Sequence, residues 1–549
     1  MASVSAHVAH ALSARVDHVF GVMGNGNAAL LDALDRTSTR YTPLRHEVGG
    51  VVAADAFFRA SGRLAAATAT YGAGFTNTLT ALAESAQARI PVVLVVGDAP
   101  TAGLRPWDVD QAAMAAAARV PTLTMSREDA AATTLRAIEH ALAHRTAVVL
   151  AIPYDLATAD AGDLPAAGAV PPVALPAPLM PDGRRLDLVA ELLTGARRPF
   201  LLAGRGAWLA GAGEQLGRLA DLTGAVTAST ALARGIFPEP RFDLGVTGGF
   251  GQEHAMALVH EADVAVVFGA GLNQYTMRFG RLFAPGTRVV QVDLAPEATH
   301  PTVTDFAPGD ARLAASGIAD RLEQAHASSN GWRESVDFAP LRRLHPGDDV
   351  APDGRLDPRR VAARLGELLP GDRVVVSDGG HFIGWANMYW PVASPDRMLM
   401  VGTAFQSIGL GLPSVPGAAA AKPESAIVLT TGDGGGLMAL ADLESAVRTA
   451  AGRGIAVVWN DAAYGAEVNL YGLQGYAEAP MLIPEVDFAA LATAVGAEGV
   501  VVRELADLDR LATWAAGPVG ERRFLLLDCR ISGRVIAPYQ HEVIAVNRR

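Results

Sequence analysis

The sequence predicts an α/β protein of three doubly wound domains with mainly parallel sheets. Three observations carry that reading. Short β-rich runs alternate with alanine-rich helical stretches along the whole chain. Two proline-rich segments, 164–188 and 338–358, cannot continue a helix or a central strand, and they divide the chain into 1–163, 189–337 and 359–549. The length, 549 residues, is too great for one hydrophobic core.

In the first part the apolar runs are Val19–Met23, Tyr41–Arg45, Val92–Val96 and Ala147–Ile152, with helices expected from Ala28 and over Val51–Ala60. The second part holds Phe200–Ala203, Val264–Phe268 and Val289–Val292, and the third Val374–Val376, Ala426–Leu429, Ile455–Trp459 and Phe524–Cys529. These runs are strand-sized and nearly unbroken, as expected of parallel strands buried on both faces. No short-period repeat interrupts the pattern.

Composition narrows the function classes. Half the residues are hydrophobic and 19% charged, yet no apolar run approaches the length of a membrane span. Met1–Val19 contains Asp17 and three histidines and does not read as a signal peptide. The single cysteine, Cys529, excludes an intrachain disulfide framework and fits the cytoplasm; its apolar surroundings mark it as an inert core residue. A net charge of −12 without a basic run argues against nucleic acid as a partner.

The chemistry-bearing motifs lie at the ends of the runs. Thr431-Gly432-Asp433-Gly434-Gly435 follows one strand, and Asn460-Asp461-Ala462-Ala463-Tyr464-Gly465 follows the next, with residues 435–459 between Gly434 and Asn460. That interval holds one helix, so both clusters emerge at the same, C-terminal sheet edge. Carboxylates beside glycine N–H groups suit a hard divalent cation carrying a diphosphate. In the first part, Arg45-His46-Glu47-Val48-Gly49-Gly50 stands between strand and helix. It is followed by Gly72-Ala73-Gly74-Phe75-Thr76-Asn77 and by Ile90-Pro91-Val92. Taken alone, Glu47 is a helix-start carboxylate facing the positive end of the dipole.

Together these motifs resemble thiamine-diphosphate (ThDP) enzymes of the acetolactate synthase and pyruvate decarboxylase group. The resemblance covers the whole chain, densely over residues 20–100 and 400–475. It implies a pyrimidine-binding domain, a central domain and a diphosphate-binding domain, in that order. By it, Glu47 hydrogen-bonds the aminopyrimidine N1′ and favours the imino tautomer that removes the thiazolium C2 proton; the cofactor supplies the electron sink. Gly24, in Gly24-Asn25-Gly26-Asn27, matches a turn near the cofactor. In Val401–Pro413 the resemblance makes Ile408 the wedge between the two cofactor rings and the Gln406 carbonyl the acceptor of the 4′-amino group. Gly379, Gly380 and His381 match the first diphosphate-contacting turn, with Gly432, Gly434, Gly435 and Tyr464 completing the cofactor set.

For Mg²⁺ the resemblance implies Asp433, Asp461 and the carbonyl of Ala463. Asp461 stands where the family usually has asparagine, and Asn460 remains an alternative ligand. Glu467 occupies the offset of a catalytic glutamate in pyruvate-decarboxylase-type members, against a solvated helix-face reading of equal weight. Gln111 and Asp108 lie in the loop that supplies polar groups to the substrate, and the His-His pair of pyruvate decarboxylases is missing there. In the central part, Gly269-Ala270-Gly271-Leu272-Asn273 replaces the Arg-Phe-Asp-Asp-Arg of flavin-dependent members, which argues against FAD. Arg241-Phe242-Asp243 is a look-alike placed too early in the chain.

The function implied is acetolactate-synthase-like carboligation of a decarboxylated 2-keto acid to a second carbonyl. A simple 2-keto acid decarboxylase or a 2-hydroxyacyl-CoA lyase is the alternative, and a non-catalytic paralogue is a further one. Self-association as a homodimer or homotetramer is expected, because the family assembles each active centre from two subunits.

Overall fold

In a computed structural model, residues 2–165, 173 and 175–547 are described. Part of the first proline-rich segment therefore lies outside the described residues. Eighteen strands form three six-stranded sheets, and every recorded strand pair is parallel.

The first sheet contains β1 (His18–Gly21), β2 (Arg40–Pro43), β3 (Ala66–Ala69), β4 (Val92–Asp98), β5 (Thr122–Thr124) and β6 (Ala147–Pro153). Its order is β2-β1-β3-β4-β6-β5. The second contains β7 (Pro199–Ala203), β8 (Val226–Ser229), β9 (Asp243–Val246), β10 (Val264–Phe268), β11 (Arg288–Asp293) and β12 (Asp305–Pro308), in the order β12-β11-β10-β7-β8-β9. The third contains β13 (Arg373–Ser377), β14 (Met398–Leu399), β15 (Ala426–Gly432), β16 (Gly454–Asn460), β17 (Glu498–Val502) and β18 (Leu525–Arg530). Its order, β14-β13-β15-β16-β18-β17, repeats that of the first sheet strand for strand.

The strands are long apolar runs because helices cover both faces, so the middle residues of β4, β10 and β16 are all buried. Most expected strands appear with ends shifted by a residue or two. The helix expected over Val51–Ala60 differs more, since it spans Glu47–Ser61. His46 Nδ1 accepts the Val48 N–H at 3.3 Å, a side-chain cap that starts the helix early and puts Glu47 in its first turn. Within the second proline-rich segment, residues 338–341 form a short helix. Another begins at Pro358, where the missing N–H costs nothing and Asp357 accepts the Arg359 N–H at 2.9 Å.

The first and third units share a core. The Glu47–Ser61 helix packs on Gly411–Ala421, which occupies the matching place after β14. Val51, Val52 and Phe57 belong to one apolar cluster with Leu412, Val415 and Ala418. The backbones touch: a Cβ on Gly417 would lie 1.9 Å from the Ala53 carbonyl oxygen. A buried ion network extends this seam. Arg59 binds Asp55 at 2.5 Å and Glu84 at 3.2 Å, with all three side chains at most 5% exposed. Its guanidinium also donates to the Met400 carbonyl at 3.2 Å, while Glu84 accepts the Phe405 N–H at 2.7 Å. Such charges are tolerated away from water only because every one is paired. Among the described residues no helix is long and apolar enough to cross a membrane.

Candidate active site

In the third sheet the chain passes from β13 out to β14 and returns on the other side as β15. This reversal opens a crevice between the C-terminal ends of β13 and β15, the usual ligand position in open α/β sheets. Asp378-Gly379-Gly380-His381 leaves β13 there, Asp433 opens a helix directly after β15, and Asp461 follows β16. Gly379, Gly380, His381, Asp433 and Asp461 line a cavity of about 1100 Å³, together with Gln406, Ile408, Gly432, Gly434, Gly435, Ala463, Tyr464 and Glu467. The structure thus brings nearly all the third-part candidates into one space.

Asp433 is 3% exposed, and its Oδ1 accepts the Gly434 N–H at 2.9 Å. Oδ2 is buried and has no hydrogen-bond partner. Burial raises the Asp433 carboxyl pKa above its ordinary value. It does the same to Asp461, where the Asp433 charge adds to the effect. A Cβ on Gly465 would lie 2.7 Å from Asp461 Oδ2 and 3.4 Å from His381 Nδ1, so carboxylate and imidazole border one small volume. Asn460 Oδ1 is buried without a hydrogen-bond partner, and the other side of its amide is anchored. Its Nδ2 donates to the Val486 carbonyl at 3.1 Å and to Asp528 Oδ1 at 2.9 Å. The turn between Asp461 and Ala463 needs a left-handed Ala462, at φ 60°.

His381 is neutral, because burial pushes its pKa down to about 4. A backbone N–H can only donate, and the Ala537 N–H donates to His381 Nε2 at 3.0 Å. The ring proton is therefore on Nδ1, the nitrogen beside Gly465. A buried carboxylate oxygen without a partner, an N–H donor and glycine-rich strand ends are what a cation–diphosphate pair requires. The residues fit that group.

Sequence reasoning missed Asp378. It is fully buried and joins three segments. Oδ1 accepts N–H groups from Gly379 at 2.8 Å, Gly409 at 3.0 Å and Leu410 at 3.3 Å, while Oδ2 accepts the Thr431 hydroxyl at 3.0 Å. Ile408 precedes those anchored amides, and its Cγ2 lies 3.0 Å from where a Gly379 Cβ would be. Gln406 turns the chain at φ 63°, held by the Ser407 N–H to Gly402 carbonyl bond at 2.8 Å. Tyr539, also missed, covers the rim: its hydroxyl is 3.2 Å from the Gly380 carbonyl and 3.1 Å from that of His381. Neither residue has a local sequence signal, since each acts through distant partners.

Gly24 and Glu47 meet elsewhere. Gly24 packs on Thr70, which also borders Gly74, and a Cβ on Gly74 would lie 3.5 Å from Glu47 Oε1. Asn77 donates to Glu47 Oε2 at 3.0 Å. Neither Glu47 nor Gly24 lines the 1100 Å³ cavity. Gln111 is 2% exposed; its amide accepts the Gly72 N–H at 2.8 Å and donates to the Gly97 carbonyl at 3.0 Å and to Asp98 at 3.1 Å. That geometry makes it a brace with no polar atom left over, and no catalytic role is carried forward for it. Asp108 is likewise engaged, with Arg105 at 2.6 Å.

The second sheet reverses between β7 and β10, and the cavity continues to Arg205, Gly206, Gly269 and Gly271 at those strand ends. Arg241-Phe242-Asp243 leads into β9 at the far edge of that sheet.

A crevice that joins buried carboxylates, a neutral histidine and glycine turns on this architecture defines a cofactor-diphosphate enzyme. Family comparison gives the class: the chain belongs to the thiamine pyrophosphate enzyme family. The family's N-terminal TPP binding domain matches residues 2–119, its central domain residues 186–316 and its C-terminal TPP binding domain residues 378–529. An acetolactate synthase of Mycobacterium bovis is 29% identical over 76% of this chain and 69% of its own length. The acetolactate synthase isozyme 3 large subunit of Escherichia coli is 27% identical over 94% of this chain and 92% of its own. A sulfoacetaldehyde acetyltransferase of Rhodobacter capsulatus is 27% identical over 96% of this chain and 94% of its own.

Proposed function

We propose that this chain, with ThDP and Mg²⁺ bound, decarboxylates a 2-keto acid and joins the remaining acyl unit to a second carbonyl compound. One C–C bond breaks to release CO₂ and another forms to the acceptor. The observation that carries this reading is the meeting of Asp433, Asp461, His381 and Ile408 in one cavity at the sheet reversal. ThDP supplies the electron sink that makes the bond beside a carbonyl breakable. The protein's share is placement. Asp433, Asp461 and the Ala463 carbonyl are the oxygen donors for Mg²⁺, and the Nδ1–H of His381 is a donor for diphosphate. Ile408, fixed through Asp378, would offer the cofactor an apolar surface. Glu47, steadied by Asn77, holds a proton at the pyrimidine.

Because Glu47 lies outside the cavity, the reading requires a second copy of the chain to bring it there, and hence at least a homodimer. The relatives named for acetolactate synthesis and for sulfoacetaldehyde acetyl transfer support carboligation and leave the acceptor open. Glu467 supports a second reading, simple decarboxylation, because it stands on the cavity wall where a carboxyl group can return a proton. A mass-spectrometric screen of 2-keto acids against aldehyde and ketone acceptors, with ThDP and Mg²⁺, tests both. Ligated product that disappears in Glu47→Gln supports the proposal; aldehyde alone supports the second reading; no turnover of any keto acid contradicts both.

A further inference from the structure

The Asp433–Asp461 pair carries more charge than a shared cation–diphosphate site needs from the protein. Both side chains line the cavity, and neither forms a salt bridge with a basic side chain among the described residues. The nearby cation Arg355 is taken by Glu485 at 2.8 Å. Asp433 Oδ2 is buried with no partner of any kind, although its residue is only 3% exposed. Two carboxylates that face one cavity repel each other when both are ionised, and a divalent cation between them removes that repulsion.

We infer that this pair takes up a divalent cation on its own, before any diphosphate arrives, so that the metal is a resident of the apoprotein. This rests on the reading of the cavity as a cation–diphosphate site and adds an order of assembly to it. The charge balance is the reason. Two carboxylates neutralise a divalent cation completely, whereas one carboxylate leaves a positive charge that the diphosphate must neutralise. No third acidic, histidine or cysteine side chain joins the pair among the described residues. The remaining positions are left to neutral oxygen donors such as the Ala463 carbonyl and water, which suits a hard cation. A diphosphate then meets a site already neutral, so it binds through the cation's open positions and the N–H donors rather than through net charge.

Mn²⁺ serves as the probe. Free Mn²⁺ is followed by electron paramagnetic resonance as it titrates the full chain without ThDP, for wild type and for Asp461→Asn. The expected result is about one Mn²⁺ bound per chain without ThDP, at least about tenfold more tightly in wild type than in the isosteric variant. Wild-type uptake of Mn²⁺ only after ThDP is added overturns the inference, and needs no variant to be informative. Equal affinities in two folded proteins overturn it as well. Adding ThDP at saturating Mn²⁺ separates the two layers. Binding of ThDP with no prior Mn²⁺ uptake defeats only the order of assembly. Failure of the wild type to bind ThDP under any metal condition defeats the cofactor-site reading itself.

Discussion

His381 illustrates how burial sets the state of a single residue. Its pKa is pushed down to about 4, while an unfolded chain would titrate near 6.5. Between those values the unfolded state binds a proton that the native state refuses, so stability falls as pH drops through that window, by roughly 3 kcal/mol in total. We predict that the melting temperature of wild type falls more steeply from pH 7 to pH 4.5 than that of His381→Gln. Parallel profiles would show that His381 is charged, or solvated, in the native protein. Glu467 is the second informative residue. It was legible as a family offset, but spacing could not decide between a solvated face and the cavity wall, because Gly465–Leu470 is too short for a periodic pattern. On the proposed reading, the wall position makes it a proton source for the decarboxylated donor. Glu467→Leu should lower aldehyde release relative to ligated product by roughly 10²-fold, the low end of what general acid–base catalysis contributes. An unchanged product ratio would return Glu467 to a solvent role.

At the scale of elements, the strands were readable because parallel strands with both faces covered must be continuously apolar, as in Val264–Phe268. The motifs were readable because each sits where a strand ends. What could not be read were the ties between segments distant in sequence. Asp378 looks like one more polar residue in a glycine turn, yet it fixes Gly409 and Leu410, and with them Ile408. Glu84 sits in an alanine-rich helix and gives no sign that it accepts the Phe405 N–H. The early start of the Glu47–Ser61 helix depended on the His46 cap, a side-chain bond that propensity does not report. Asp378→Asn keeps the volume but replaces one acceptor oxygen by an NH2 donor, which cannot accept the N–H and O–H groups that meet there, and each buried group left unpaired costs about 1–3 kcal/mol. ThDP affinity, read from quenching of tryptophan fluorescence, should fall by roughly tenfold or more, with the fold retained. Undiminished affinity would mean that the Gly402–Leu410 segment is held by its own backbone, through the Ser407–Gly402 bond, and does not depend on Asp378.

At the scale of the molecule, the first and third sheets have the same strand order, and the helices after their matching strands pack backbone to backbone. Within one chain this pairing ties Arg45, just before Glu47, to Asp442 at 3.0 Å and to Glu444 at 2.9 Å. Glu47 is thereby committed to a position outside the chain's own cavity. The sequence could announce both halves of the centre but not their separation, which depends on how two similar units pack. Met23, Leu104 and Trp107 on the first unit, and Met438, Tyr471 and Tyr476 on the third, are large apolar side chains left exposed. The most direct measurement mixes two inactive chains, Glu47→Gln and Asp433→Asn, after reversible dissociation. If each centre takes Glu47 from one copy and Asp433 from the other, half the re-formed dimers are mixed and each holds one intact centre. The account predicts recovery of about a quarter of wild-type carboligation. No recovery, with mixed dimers demonstrably formed, would contradict it.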